Sequence, residues 1–185
     1  KDFKTVSVVS IAAIFIIIIC VFKSAVLPIV LVAAIEFAIF INMCLPYYLN
    51  TTIPFISSVV IGTIQLGATV DYAILMTTRY RKERFEGAGK KEAIATALST
   101  SIPSVIVSAL GFFAATFGVG VYSSVDMIGS LCTLMARGAI ISMFVVIFIL
   151  PSLFVVFDKI IIHTSKGFID KSKNVKAVKP GVNNI

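Results

Sequence analysis

The sequence predicts an all-α integral membrane protein, a bundle of five transmembrane helices. Two observations carry that prediction. Of 185 residues, 58% are hydrophobic and 14% are charged, far from the balance of a soluble domain. The apolar residues also form long unbroken runs, and roughly 18 or more of them in helix cross the ~30 Å hydrocarbon layer.

Each run gives one span. Residues 5–22 carry no charge, and the run is too long and too rich in isoleucine for a cleaved signal peptide. The second span, 25–45, holds only Glu36, and the third, 54–78, holds only Asp71. Residues 93–125 are uncharged and exceed what a bilayer needs, so the fourth span is placed at 97–119. The fifth, 127–157, holds only Arg137. The five-helix block therefore covers 1–163, with 79–96 expected as a cytoplasmic loop and 164–185 as a flexible basic tail. A sequence that opens at Lys1 with an odd number of spans is expected to be a piece of a larger membrane protein.

Charge sets the expected orientation. Lys23, the segment 79–91 and the chain after Phe157 together hold thirteen of the sixteen Lys and Arg. By the positive-inside rule these face the cytoplasm of a multi-pass cell-membrane protein. The net charge of +7 then describes loops facing anionic lipid, and nucleic acid is not an expected partner. Cys20, Cys44 and Cys132 share no metal-binding spacing and are read as packing residues. His163 receives no role. Neither a phosphate-binding loop, a nucleophile elbow nor a zinc motif occurs, so no enzyme, metal or cofactor is expected.

Ionisable groups at membrane depth cost a few kcal/mol each and mark functional sites. Asp71 lies eight residues before Arg79, about 12 Å from the end of its span. Thr63, Gly67 and Asp71 share one stripe, and Gln65 and Tyr72 share a second. Gly67 would let a neighbouring helix approach. Tyr72 stands at depth, whereas Tyr47, Tyr48, Tyr80 and Tyr122 fall near interfaces, where tyrosine is usual. Desolvation disfavours a charged carboxyl, which makes Asp71 the candidate proton carrier, with the Tyr72 phenol able to donate to it. Ser101, Ser104 and Ser108 share a face of the fourth span, and are expected either to support Asp71 or only to tighten packing.

On the fifth span Asp126, Ser130, Thr133 and Arg137 fall within roughly 60° on the helical wheel, a stripe expected to point inward. Glu36 and Arg137 both lie near mid-membrane, about 15–16 Å from the ends of their spans. Arg137 is expected to pair with Glu36 or with Asp71.

The run Gly67-Ala68-Thr69-Val70-Asp71-Tyr72-Ala73-Ile74, followed by Thr78-Arg79-Tyr80-Arg81-Lys82-Glu83, resembles the central helix of the MMPL branch of the resistance-nodulation-division (RND) transporter superfamily. Glu92-Ala93, Pro103-Ser104, Ser108-Ala109, Leu150-Pro151-Ser152-Leu153 and Phe157-Asp158 extend the likeness over about 5–161. The resemblance implies one five-helix block from a protein of two similar halves, favouring the C-terminal half. It also implies that Asp71 and Tyr72 belong to a proton relay completed by the other half. No family role carries over to Glu36 or Arg137.

Three functions follow as expectations. The leading one is proton-driven export of a hydrophobic or amphiphilic substrate, a lipid or a lipophilic drug. A lipid-binding regulatory module similar to a sterol-sensing domain is the second, and it has no need of a titrating acid. A non-transporting scaffold is the third, and it leaves three intramembrane charges unexplained.

Overall fold

A computed structural model describes residues 2–22, 24, 26–49 and 55–164; most of the expected tail, 165–185, lies outside the described residues. The helices in chain order are α1 (Asp2–Phe22), α2 (Val26–Tyr48), α3 (Phe55–Phe85), α4 (Lys90–Tyr122), α5 (Asp126–Phe144) and α6 (Leu150–Thr164). A π-helical turn, Val145–Ile149, joins α5 to α6 in one continuous rod. No strand occurs among the described residues. Five rods are long and apolar enough to cross a membrane, so the fold is the expected all-α membrane bundle.

The helices run further than the apolar spans. Residues 79–96, expected as a loop, are mostly helical: α3 continues to Phe85 and α4 begins at Lys90, leaving a turn of residues 86–89. Leaving the hydrocarbon layer does not end a helix when the next residues are Arg, Lys and Glu, which are good helix formers. What ends α3 is Gly87, at φ 98°, a left-handed conformation that suits a residue without Cβ. The Ala88 N–H donates to the Glu83 carbonyl at 3.1 Å and the Gly87 N–H to the Arg84 carbonyl at 3.3 Å, the two bonds of a Schellman stop.

The π turn has an equally local cause. Pro151 has no N–H, and its ring presses on the carbonyl four residues earlier. The widened turn just before it, in which the Leu150 N–H donates to the Val145 carbonyl, relieves that crowding.

Helix α3 touches each of α1, α2, α4 and α5. Helix α4 buries Ala93, Ala97, Ser101, Val105 and Ala109, one residue in four; mostly small, they allow close approach. Most of α1 stays outside the core, with Val8, Val9, Ile16 and Ile17 exposed, as suits a helix bathed in hydrocarbon.

At the end where Arg79, Arg81, Lys82 and Arg84 gather, a buried cluster ties α3 to α6. The Tyr80 hydroxyl donates to Asp158 Oδ1, and its ring stacks on Phe154 at 5.2 Å. Arg84 Nη2 lies 3.1 Å from Asp158 Oδ2, while its Nη1 donates to the Ala88 carbonyl at 2.8 Å. One guanidinium thus links the Schellman turn to the last helix. Both oxygens of the buried carboxylate are satisfied, the condition under which a buried ion pair is tolerated.

Candidate functional site: a polar centre beside Asp71

Where α2, α3 and α5 meet, a buried polar cluster interrupts the apolar core. Asn42 on α2 donates through Nδ2 to Gln65 Oε1 at 2.8 Å and to the Leu134 carbonyl at 3.2 Å. Gln65 Nε2 donates to Ser142 Oγ at 3.1 Å, with the Gly138 carbonyl at 3.4 Å. The Thr69 hydroxyl oxygen stands 2.7 Å from the Gln65 carbonyl and 2.8 Å from Ser142 Oγ. Its single proton serves one of these; when it goes to the carbonyl, Ser142 supplies the proton for the other.

Backbone spacing explains why these side chains converge. Gln65 and Thr69 are one turn apart on α3, as are Gly138 and Ser142 on α5. Gly138 is required by space. A Cβ there would stand 2.7 Å from Asn42 Nδ2 and 2.8 Å from Gln65 Oε1. A methyl group there would displace the two amides from the hydrogen bonds that hold them.

Arg137 enters this cluster from its edge. Its Nε donates to Asn42 Oδ1 at 3.0 Å and one Nη to the Asn42 carbonyl at 3.1 Å. The expected pairing with Glu36 or Asp71 is therefore not formed. A neutral amide and a backbone carbonyl hold the guanidinium instead, and they solvate it without a counter-charge. The inward polar stripe on the fifth span is corrected as well. Asp126 and Thr133 are exposed, the Thr133 hydroxyl bonding within its own helix to the Gly129 carbonyl at 2.8 Å. The buried face of α5 runs through Leu134, Gly138 and Ser142.

The two α3 stripes part company. Gln65 and Tyr72 are buried, whereas Gly67 and Asp71 are exposed on the surface of this chain. A Cβ added at Gly67 would meet nothing within 4 Å, so this face of α3 is open. Tyr72 borders a small cavity of about 10 Å³ lined by Gln65, Thr69 and Ser142 on its polar side and by Ile64, Phe112 and Met135 among its apolar residues. Asp71 and Tyr72 thus lie on either side of a boundary, one facing out of the block and the other facing its polar centre. Ser104 and Ser108 are exposed, and no hydrogen bond joins them to Asp71 among the described residues. Ser101 is buried with its hydroxyl unpartnered.

Glu36 lies apart from this centre, half-buried in a cleft of about 300 Å³ between α1, α2 and α3. Asn42, Thr69, Gly138 and Ser142 went unrecognised in the sequence. The available signal was an amide inside an apolar span, which a search for charges alone passes over.

Residues 1–175 match the family described as the MMPL family. The chain belongs to that family. Among curated proteins it is similar to the membrane protein ActII-3 of Streptomyces coelicolor, 28% identical over 103 residues. Those residues are 56% of this chain and 14% of the relative's length, so this MMPL chain corresponds to a small part of that protein. No solved structure gives a significant match. Membership accords with a transporter-type membrane module.

Proposed function

We propose that the chain is half of the membrane part of a secondary transporter, driven by protons moving inward, that exports a hydrophobic or amphiphilic substrate, a lipid or a lipophilic drug. Asp71 carries the proton and Tyr72 relays it, with Gly67 giving a neighbouring helix room. Gln65 keeps the inner side of the relay polar, and Ser104 and Ser108 are available to an adjoining helix. The end bearing Arg79–Lys91 faces the cytoplasm and its anionic lipids.

The observation that carries this reading is the open Gly67–Asp71 face next to buried Tyr72. A carboxylate at membrane depth that met hydrocarbon would cost several kcal/mol, so the face calls for a protein partner, for which the other half of the transporter is the candidate. A proton arriving there changes the charge of Asp71 and with it the preferred contact between halves. One charge crossing 100 mV supplies about 2.3 kcal/mol toward that change.

The test is Asp71→Asn in the complete protein. The variant inserts normally and loses proton-driven transport. Proton-linked transport at the wild-type rate in that variant would remove Asp71 from the mechanism.

A further inference from the structure

Glu36 has no part in the relay and makes no ion pair or hydrogen bond with any described residue. Its cleft is lined by Ser7 and Ser10 of α1, Gly62 and Thr63 of α3, and Phe40 and Met43 of α2. The rest of the lining is aliphatic. Arg137, the cation at similar depth, is committed to Asn42. An ionised carboxyl at this depth is costly until something answers its charge.

We propose that this cleft binds the head of an amphiphile carrying a protonated amine. The ammonium places one N–H on the Glu36 carboxylate, a charge-assisted bond, and the hydroxyl oxygens of Ser7 and Ser10 are acceptors for the others. A volume of about 300 Å³ is at the small end of ligand sites. It takes a head and the first carbons of one chain. Phe40, 66% exposed at the rim, leaves the tail a path into the membrane. The site stands independently of the proton relay, on a different part of α3 from Asp71.

The experiment uses the complete protein in phosphatidylcholine nanodiscs. Its probes are dodecylamine bearing a diazirine, the matching dodecanol, and a diazirine-bearing phosphatidylethanolamine, with labelled peptides mapped by mass spectrometry. The amine labels the peptide containing Phe40 and Met43, and the alcohol labels it about tenfold less, on the scale of one charge-assisted contact. Glu36→Gln lowers amine labelling by a similar factor. Gly62→Phe lowers it by filling the cleft, since a Cβ at Gly62 meets nothing within 4 Å; this second variant keeps the test decisive if the first does not fold. Asp71→Asn labels as wild type does, which separates this site from the relay. Labelling by the phosphatidylethanolamine probe identifies a membrane lipid as the ligand, and labelling by dodecylamine alone identifies a free lipophilic amine. Equal labelling by amine and alcohol, undiminished labelling in Glu36→Gln and Gly62→Phe, or no label in the cleft overturns the proposal. The last result would mean that another protein segment fills it.

Discussion

Arg137 Nε lies 3.0 Å from Asn42 Oδ1, so the cation on α5 is answered by an amide on α2 and not by either acid at membrane depth. The same amide donates to Gln65 and to the Leu134 carbonyl. Asn42 is therefore the joint through which three helices share one polar centre.

Replacing Asn42 by Leu leaves Arg137 Nε and Gln65 Oε1 without their partners, while the bond from Arg137 to the main-chain carbonyl of residue 42 remains. Leaving buried polar groups unsatisfied costs about 1–3 kcal/mol each, more for charged groups. We expect Asn42→Leu to destabilise the protein by about 3 kcal/mol, measured by unfolding in mixed detergent micelles. A loss under about 0.5 kcal/mol, the size of an average interhelical polar contact in a membrane, would mean that the cluster contributes little.

Two glycines separate packing within the block from packing against a partner. Gly138→Ala forces a methyl group against both amides and should cost about 1–3 kcal/mol as overpacking. Gly67→Ala meets nothing within this chain and should leave the stability of the block unchanged. If the face is covered in the complete transporter, Gly67→Leu lowers transport while expression and insertion stay normal. Wild-type transport by Gly67→Leu would mean that no helix packs there.

At the basic end, Asp158→Asn removes the charge that faces Arg84. Breaking a buried pair from one side costs about 3–5 kcal/mol. Tyr80→Phe removes one bond to the same carboxylate and should cost about 1–2 kcal/mol. Because both act on Asp158, the double variant should cost less than the sum. Strict additivity in the same unfolding assay would separate the two contacts.

Tyr72→Phe deletes only the hydroxyl of a side chain that lines the small cavity. The expected result is slower transport at unchanged stability, read as initial rates in proteoliposomes. Wild-type rates would make Tyr72 a packing residue.

The five spans were legible because continuous hydrophobicity is a local property, and Asp71, Glu36 and Arg137 stood out because a charge in an apolar run needs no third dimension to be seen. Partners were not legible. Asn42 and Arg137 are 95 positions apart, and a wheel drawn for α5 alone cannot tell whether Arg137 reaches an acid or an amide. Helix ends were misjudged at residues 79–96, because hydropathy reports the edge of the bilayer while Gly87 reports the end of the helix. The split between Asp71 and Tyr72 was hidden for a similar reason. Adjacent residues differ by 100° on a helix, and only the packed neighbours decide which one turns inward.

The most direct measurement is pH-difference infrared spectroscopy of the complete transporter in lipid, comparing wild type with Asp71→Asn. Proton carriage by Asp71 predicts a carboxyl band that converts between protonated and ionised forms across the working pH range and is missing from the variant. A wild-type spectrum with no Asp71-dependent conversion in that range would contradict it.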